Sequence, residues 1–351
     1  MVRKFLKHVA GIDVAQNELV VSFGRMHEDA AIELYSYKAF PNTAKGFVAL
    51  VAWADKLAGG QPVHFVMEAT GVYHEALAYF LDGRGLLVSI VLPSKISNYA
   101  KTLDVKTVTD KTASEAIARF GLERRLDAWK RPKAIFKILR QLSRERGQVV
   151  EERTLSKNQL HAEQAEAEPN KSSIARIEKR IAFLDSQEKE IKAEISQLVQ
   201  NDEDVKNIVA IICSLPGVGL LTAATVLAET NGFDLIRNKR QLASYAGLDV
   251  KEKQSGTSVK GKPCISKKGN RYLRKAMHLP ALSAIMQGGL FKEIFERLLA
   301  KHGIKMKAVV AVQRRLLEMI YTLYKTNQKY DKDYLAKKEA EKKKGQDKKA
   351  A

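Results

Sequence analysis

Two apolar stretches that each end in a carboxylate decide the fold: His8-Val-Ala-Gly-Ile-Asp-Val-Ala15 and Val63-His-Phe-Val-Met-Glu-Ala-Thr-Gly71. The apolar run in each stretch is typical of a buried strand. A carboxylate at the end of a core strand is costly to bury unless it binds a cation or a hydrogen-bonding partner. Asp13 and Glu68, with Asp110 further along, therefore indicate a metal-dependent site for phosphoryl transfer.

Strand and helix patterns alternate from residue 8 to about residue 130. Val9–Asp13 and Leu19–Phe23 predict a hairpin, with Ala15-Gln16-Asn17 as its turn. The other patterns predict, in chain order, a helix over 44–57, a strand over 63–68, a helix over 72–82, a strand over Leu86–Leu92 stopped by Pro93, and a helix over Lys111–Leu122. Strands interleaved with helices predict an α/β sheet for residues 1–131.

Residues 132–203 have a different pattern, which predicts a coiled-coil helical linker. A helix over 132–165 is followed by a break at Pro169 and Asn170, and a heptad repeat begins after it. Its a and d positions hold Ile174, Ile177, Ile181, Leu184, Ile191, Ile195 and Leu198, with Glu188 as the only interruption. The pattern fits a long antiparallel helical pair or a dimerising arm.

The chain is strongly basic. Its 351 residues include 60 Lys and Arg against 40 Asp and Glu, a formal charge of +20. Such an excess favours polyanionic partners, because each phosphate contact releases counterions. Part of the charge lies in residues 328–351, a Lys-rich segment predicted to be a disordered tail, but the rest of the chain is basic without it.

Cysteine use and hydropathy indicate a cytoplasmic protein. Cys213 and Cys264 are far apart and form no Cys-x-x-Cys pair, which argues against a disulfide framework or a structural zinc site. No apolar run reaches transmembrane length, and the basic N-terminus lacks a signal-peptide core. We expect no membrane partner and action at the nucleoid.

Residues 204–327 predict a mainly helical segment that contains a turn suited to phosphate. Ser214-Leu-Pro-Gly-Val-Gly219 precedes an apolar helix and resembles a helix-hairpin-helix turn. Gly217 and Gly219 would permit close approach of a nucleic-acid backbone, and the following helix N-terminus would offer free amides. A simple corner between two helices is the alternative.

A second motif in this segment combines small hydroxyl residues, glycines and cations. It runs from Ser255-Gly-Thr-Ser258 through Ile265-Ser-Lys-Lys-Gly-Asn-Arg-Tyr-Leu-Arg274, and its cations include Lys260, Lys262, Lys267, Lys268, Arg271 and Arg274. The motif would cradle a phosphate and leave a serine hydroxyl accessible. Because a bare serine needs a base, a metal or leaving-group help to act as a nucleophile, a phosphate-binding loop without chemistry is the alternative.

Together these motifs resemble the DEDD transposases of the insertion-sequence family that recombine DNA under the guidance of an element-encoded bridge RNA. The matching residues are Gly11-Ile-Asp13, Glu68-Ala-Thr-Gly71, Thr109-Asp110, Leu215-Pro-Gly-Val-Gly219, Ser244-Tyr-Ala-Gly-Leu248 and the Ser255–Arg274 motif. The resemblance implies a RuvC-like N-terminal domain with an RNase H-type sheet over 1–131. It also implies a C-terminal transposase domain over 204–327 that carries a nucleophilic serine.

The same resemblance implies residue roles and partners. Asp13, Glu68 and Asp110 take the first three metal-ligand places, with Mg²⁺ as the expected ion. Ser255 is expected to attack a DNA phosphodiester and form a phosphoserine link that conserves bond energy for religation. The implied partners are a structured guide RNA, donor and target DNA, and further copies of the chain. A homodimer would assemble to a homotetramer in which acids and serine come from different protomers.

The fourth acid of the family falls on Ala113. Residues i and i+3 share a helix face, so an aspartate there would point beside Asp110. Ser114 would offer only a neutral oxygen, and Glu115 projects from another face. The sequence therefore predicts a site that lacks one ligand and is catalytically impaired. An engineered change that stops the reaction would explain the otherwise complete motif set, and a diverged, active site is the alternative.

Two other functions stay open on the residues alone. A metal-dependent junction-resolving nuclease would use the acids and a water molecule, and would have no need of the motif around Ser255. A non-catalytic nucleic-acid scaffold would account for Ala113, although the surviving acids and Ser255 argue against it.

Overall fold

The structure is a computed structural model, and it describes residues 5–69, 71–103, 107, 109–252, 254–255, 259–261 and 263–334. The side chains of Ser255, Val259 and Lys260 lie outside this description. The chain divides into two compact units, Met1–Arg131 and Pro132–Ala351.

A mixed five-stranded sheet forms the centre of the N-terminal unit. Its strands are β1 (Phe5–Val14), β2 (Glu18–His27), β3 (Ile32–Pro41), β4 (Val63–Glu68) and β5 (Leu87–Val91). The spatial order is β3-β2-β1-β4-β5. Neighbours among β1, β2 and β3 are antiparallel, whereas β4 is parallel to both β1 and β5. This is the strand arrangement of an RNase H-type sheet, and the predicted α/β class of this unit is confirmed.

Four helices accompany the sheet: α1 (Ala44–Ala58), α2 (Glu75–Asp82), α3 (Pro93–Ala100) and α4 (Asp110–Glu123). The predicted hairpin and the helices over 44–57 and 111–122 are confirmed, while α2 begins three residues later than predicted. Sequence patterns missed β3, because its residues are mostly half-exposed and mixed in polarity. They also missed α3, because Pro93 after an apolar strand indicates only that the strand ends; here it is also the first residue of a helix, where its missing N–H costs nothing.

The two central strands are buried on both faces. On one face Ala10 and Phe65 pack with Leu50 of α1, and on the other Val9 and Val66 pack with Ile117 of α4. Burial on both faces explains why β1 and β4 are continuous apolar runs rather than alternating patterns. It also explains why their first charged positions stand at the end of the apolar run.

The C-terminal unit is mainly helical. Its helices are α5 (Ala134–Gln164), α6 (Lys171–Asn201), α7 (Glu203–Ile212), α8 (Leu220–Thr230), α9 (Lys239–Tyr245), α10 (Arg271–Ala276), α11 (His278–Met286), α12 (Leu290–His302) and α13 (Lys305–Thr326). Short strands β6 (Val250–Lys251), β7 (Gln254–Ser255), β8 (Val259–Lys260) and β9 (Cys264–Ile265) lie between α9 and α10. One apolar core joins residues from α5 through α13.

Helices α5 and α6 pack against each other and turn through residues 165–170, where the side chain of Asn170 caps α6. Predicted heptad residues such as Leu184, Ile191 and Ile195 are buried, while supercoiling of the pair stays a prediction. Glu188, the interruption in the heptad, is also buried, and it forms ion pairs with the residues Arg146, Arg153 and Lys192. Burial opposes ionisation of Glu188, but the hydrogen bonds from these cations prevail and lower its pKa to about 2.

The segment predicted as a tail begins with residues that pack on the C-terminal unit. Tyr330 lies against the core, and its backbone N–H donates to the Ser214 hydroxyl at 2.8 Å. Residues 335–351, most of the predicted tail, lie outside the described residues. Among the helices that the structure describes, none is both long and apolar enough to cross a membrane.

Candidate active site and nucleic-acid interface

Three carboxylates lie near one another at one edge of the N-terminal sheet. Ile12 of β1 is opposite Met67 of the parallel strand β4, so the next residues, Asp13 and Glu68, lie side by side near the ends of these strands. Asp110 is the first residue of α4. Burial raises the pKa of Asp13, and the charges of Asp110 and Glu68 raise it further. The structure thus brings together the three acids that the sequence singled out.

Close packing of α4 on β1 and β2 determines where Asp110 lies. A Cβ atom on Gly11 would come within 3.0 Å of the backbone of Ser114 and Ala118, so only glycine allows this approach. The buried hydroxyls of Ser22 and Ser114 are 2.7 Å apart and form a hydrogen bond between β2 and α4. The position of the helix, and of its first residue, is therefore set by small side chains.

The start of α4 is fixed by a reciprocal cap. The Thr109 side chain accepts a hydrogen bond from the Thr112 backbone at 3.2 Å, and the Thr112 hydroxyl accepts one from the Thr109 backbone at 2.8 Å. Such a cap satisfies amide groups that would otherwise have no partner at a helix N-terminus. Asp110 is held between these two threonines and is exposed to solvent.

Neither Ser114 nor Glu115 is placed to substitute for a carboxylate at position 113. Ala113 is half-exposed, one turn along α4 from Asp110. Ser114 is fully buried and bonded to Ser22, so its hydroxyl faces the sheet. Glu115 lies 4.0 Å from Lys111 in an i,i+4 ion pair. The expectation that residues 114 and 115 are poor substitutes therefore agrees with their contacts.

The donor chemistry of the three acids suits a divalent cation. Carboxylate oxygens are ligands that Mg²⁺ prefers, and a cation would offset both the burial and the neighbouring charges that raise the pKa of Asp13. Within the part of the chain that the structure describes, no group of three or more Asp, Glu, His or Cys residues is arranged to hold a metal ion. A cation would therefore have to draw these carboxylates together.

Ser255 is the second residue of the short strand β7. Strand β7 pairs with β8. Outside this pair in the sequence, β6 pairs with β9: Val250 is opposite Ile265, and Lys251 is opposite Cys264. Lys262 lies outside the described residues, as do the side chains of Ser255 and Lys260. Their predicted roles as nucleophile and phosphate-binding cations stay predictions.

The other predicted cations of this motif differ in exposure. Lys267, Lys268 and Arg271 are exposed and available to a polyanion. Arg274 is half-buried, and its guanidinium donates to the carbonyl oxygen of Ala246 at 2.7 Å. Part of its hydrogen-bonding capacity therefore serves the fold, which the sequence alone did not reveal.

The two glycines of the predicted phosphate-binding turn differ in their surroundings. Gly217 has φ of +77° and packs so closely on α11 that a Cβ would come within 3.0 Å of the Pro280 carbonyl oxygen. Gly219 caps α8 and has open space where a side chain would be. Both line a surface cavity of about 550 Å³, together with Ser283 and Gln287. A turn between two helices is present, and nucleic-acid binding by it stays a prediction.

A buried carboxylate of the C-terminal unit, Glu229, is a residue that the sequence analysis missed. It stands near the end of α8 after the apolar run Leu220–Ala228, and its side chain is only 1% exposed. An acid directly after an apolar run is the same signal that points to Asp13. The sequence therefore carries a signal by which Glu229 could have been found.

Two family models match the chain in succession. A model of DEDD transposases of the IS110 type, described as "Transposase", matches residues 10–164, and a second, described as "Transposase IS116/IS110/IS902 family", matches residues 209–296. Together they span well over half of the chain. The chain belongs to the IS110 family of DEDD transposases. The first match contains Asp13, Glu68 and Asp110, and the second contains the motif from Ser255 to Arg274.

The chain is similar to named pilin gene-inverting proteins. It is 28% identical over 335 residues to a "Pilin gene-inverting protein" of Moraxella bovis, and 28% identical to its counterpart in Moraxella lacunata. Each match covers 93% of this chain and 98% of the relative. An "Insertion element IS110 uncharacterized 43.6 kDa protein" of Streptomyces coelicolor is 26% identical over 43% of this chain and 36% of its own.

Similarity to solved structures is weak. "T. thermophilus RuvC in complex with Holliday junction substrate" aligns over 35% of this chain and 99% of its own, with 11% identity and a TM-score of 0.27. A Ppx/GppA family member from Aquifex aeolicus covers 27% of this chain and 38% of its own, with 14% identity and a TM-score of 0.21. The strand order of the N-terminal sheet, rather than these structures, indicates its fold.

Proposed function

We propose that this transposase cuts and rejoins DNA through a phosphoserine intermediate on Ser255, under the guidance of a structured bridge RNA. The observation that carries the proposal is the placement of Asp13 and Glu68 next to each other on the parallel strands β1 and β4, with Asp110 at the start of α4. Separate secondary-structure elements supply these acids, as phosphodiester chemistry with a divalent cation requires. The family match over the Ser255 motif adds the second half of the chemistry.

In the proposed reaction the Ser255 hydroxyl oxygen attacks a DNA phosphorus atom. The serine O–H bond gives up its proton, a P–O bond to the serine forms, and the P–O bond to one deoxyribose oxygen breaks. That oxygen leaves with a proton as a free hydroxyl. A hydroxyl of the partner strand then attacks the phosphoserine, so the DNA backbone is restored and the serine is released without ATP.

Asp13, Glu68 and Asp110 would hold a divalent cation, with Mg²⁺ as the proposed ion. When bound, such an ion neutralises charge on the phosphate and helps to lower the pKa of a bound hydroxyl. Ala113 leaves this set one oxygen ligand short, so we propose that the chain is impaired in the chemical step. In the proposed assembly, a homotetramer built from homodimers, the serine and the acids acting on one phosphate come from different protomers.

Nucleic-acid recognition would depend on backbone contacts, with sequence read by base pairing of the guide RNA to donor and target DNA. The formal charge of +20 and the exposed cations Lys267, Lys268 and Arg271 support such contacts. Pilin gene inversion, named for the Moraxella relatives, likewise implies cutting and rejoining of DNA. The proposal therefore applies to this chain a reaction type that suits its relatives.

Trapping of a covalent DNA–protein adduct tests the chemistry. Protein, guide RNA, donor and target DNA and Mg²⁺ are incubated, denatured and resolved by gel electrophoresis. The parent chain should yield an adduct that Ser255→Ala abolishes and that Ser196→Ala, on α6, leaves unchanged. Because the parent lacks the fourth acid, an Ala113→Asp chain is run in parallel. An adduct that persists in Ser255→Ala would exclude this serine as nucleophile, and cutting without an adduct would favour the water-using nuclease.

Competition binding tests RNA guidance. The chain should retain a labelled bridge RNA in the presence of excess tRNA, because a guided enzyme must select its own structured RNA. A mutated guide of equal length with disrupted stems serves as the control. Equal displacement of both RNAs by tRNA, with steep salt dependence, would instead support a general nucleic-acid scaffold.

A further inference from the structure

Glu229 forms a buried ionic cluster that joins four parts of the C-terminal unit. Arg144 of α5 donates two hydrogen bonds to its carboxylate, at 2.8 and 2.9 Å, and Asn270 donates a third at 2.6 Å. The Tyr245 hydroxyl of α9 donates to the backbone carbonyl of Glu229 at 2.9 Å. A bidentate arginine–carboxylate pair is strong and directional, so this cluster holds its members in one geometry.

Asn270 connects the cluster to the helix that follows the Ser255 motif. Its side-chain oxygen caps α10 by accepting from the Leu273 backbone at 2.9 Å, while its side-chain nitrogen donates to Glu229. Its backbone N–H donates to the Tyr245 carbonyl oxygen at 2.6 Å. One residue thus fixes both the start of α10 and its distance from α8 and α9.

The base of the Ser255 loop is attached to this same cluster. Backbone N–H groups of Ser266 and Lys267 donate to the carbonyl oxygens of Asp249 and Gly247, at 2.8 and 3.2 Å. A Cβ on Gly269 would come within 3.0 Å of the Tyr245 and Ser244 carbonyl oxygens, so the chain that follows β9 passes very close to the end of α9. The chain on both sides of the loop is therefore held next to Asn270.

Arg144 also sets the orientation of α10. Its guanidinium lies 4.4 Å from the ring centre of Tyr272, in the first turn of α10, while its edge faces Glu229. Lys275, at the other end of α10, pairs with Glu151 of α5 at 2.6 Å. These contacts hold α10 against α5 and leave Lys267, Lys268 and Arg271 exposed on the outside.

We propose that Glu229 is a positioning residue of the transposase: with Arg144 and Asn270 it fixes the base of the loop that carries Ser255. The inference rests on the proposed function for its catalytic consequence, since a serine attacking phosphorus must be held in line with the leaving oxygen. The anchoring itself rests only on the contacts within the C-terminal unit.

Reversal of one hydrogen bond gives a sharp test. Asn270→Asp keeps a good helix cap, because aspartate caps helices as well as asparagine, but it places a carboxylate against that of Glu229. Adding Glu229→Gln restores this one contact with donor and acceptor exchanged, since the glutamine amide can donate to the new aspartate. Recovery should be partial, because the replaced Oε2 also accepts a hydrogen bond from Arg144. Asn238→Asp, at the N-cap of α9, makes the same change where the cap bonds only the Gln241 backbone at 2.9 Å.

Hydrogen–deuterium exchange of the full chain measures the anchoring. Amides of 264–275 should exchange at least about tenfold faster in Asn270→Asp, the factor expected for loss of a hydrogen bond to a charged group. The double variant Asn270→Asp/Glu229→Gln should return towards the parent rate, and Asn238→Asp should match the parent. Unchanged exchange in Asn270→Asp, or no recovery in the double variant, would overturn the inference.

Adduct formation measures the catalytic consequence and separates the two proposals. In Asn270→Asp the single-turnover rate of the covalent DNA adduct should fall at least about tenfold, with recovery in the double variant and little change in DNA affinity. An unchanged adduct rate despite faster exchange would overturn the positioning role. Absence of any adduct in the parent and in Ala113→Asp would instead count against the proposed function, while the exchange result would still decide the anchoring.

Discussion

Asp13 occupies a position where its charge is unfavourable without a cation. Burial and the charges of Asp110 and Glu68 raise its pKa above the ordinary value of 3.8. A carboxyl group with a raised pKa holds its proton longer in the folded than in the unfolded chain, so folding stability falls as pH rises through that interval. The clustering of negative charge around Asp13 therefore lowers the stability of the folded chain, and such clusters are typical of functional sites.

Asp13→Asn should therefore stabilise the metal-free protein at pH 7. The expected gain is about 2–4 °C in Tm for each 1 kcal/mol of repulsion removed, and it should disappear below about pH 3.8, where the parent residue is also neutral. Thermal unfolding followed by circular dichroism measures it. Asp55→Asn, exposed on α1, is the control and should change little, and added Mg²⁺ should narrow the gap because it favours only the parent. A lower Tm for Asp13→Asn at pH 7 would contradict this account.

Ala113→Asp should restore the fourth ligand. Helical spacing places residue 113 on the same face as Asp110, so its carboxylate would complete the set of oxygen ligands. We expect the rate of adduct formation to rise by about 10²-fold or more, comparable to the effect of one well-placed electrostatic group. Ala300→Asp, exposed on α12, adds the same charge elsewhere and should have no effect. Equal rates for the parent chain and the Ala113→Asp variant would show that the fourth ligand is dispensable.

At the scale of elements, the placement of α4 decides whether the acids meet. Gly11, Ser22, Ser114 and Ala118 let the helix approach the sheet, and Asp110 moves with it. Nothing in the local sequence of α4 indicates this approach, because its apolar residues would suit any amphipathic helix. The contact is a property of two elements far apart in the chain.

Gly11→Ala should displace α4 and weaken the N-terminal unit. The new methyl group would overlap the backbone of Ser114 and Ala118, and such overpacking costs about 1–3 kcal/mol. Chemical denaturation measures the decrease in stability, and the rate of adduct formation should fall as Asp110 shifts. Gly147→Ala, in α5, has open space around it and should instead stabilise by up to about 1 kcal/mol, since alanine is the better helix former. An undiminished stability of Gly11→Ala would show that α4 adjusts freely.

At the scale of the whole molecule, the excess of positive charge determines how the chain meets nucleic acid. A formal charge of +20 favours salt-dependent attraction to nucleic-acid phosphates whatever the base sequence. Exposed cations next to the Ser255 loop would direct that general attraction to the place where chemistry is proposed.

Removal of those cations should reduce the salt dependence of binding. A Lys267→Ala/Lys268→Ala/Arg271→Ala chain should bind duplex DNA more weakly, and the slope of log K against log salt should fall by about 0.9 for each phosphate that the variant no longer neutralises. Filter binding between 50 and 200 mM salt measures the slope. Affinity changes about 10³–10⁵-fold over this range when many phosphates are bound. Lys56→Ala, on α1, is the control for removal of one exposed charge. An unchanged slope in the triple variant would place the phosphate contacts elsewhere.

The sequence by itself determined the sheet, the acids and the family. Apolar runs ending in Asp13 and Glu68 predicted the central strands, because a strand buried on both faces must be continuously apolar until it leaves the core. Heptad spacing likewise predicted the long helix α6. The edge strand β3 and the helix α3, which begins at a proline, were not predicted, because their local sequence patterns are ambiguous.

Only the tertiary structure decided which side chains meet. Asp110 lies near enough to Asp13 for its charge to raise the pKa of that residue. Ser114 bonds to Ser22, and the Arg274 guanidinium donates to a backbone carbonyl. Glu229 accepts hydrogen bonds from Arg144 and Asn270. These contacts depend on the approach of elements distant in the chain, and the approach is set by close packing at a few small residues. Sequence patterns report the period and polarity of one element at a time, so they identify the elements but not how closely those elements pack.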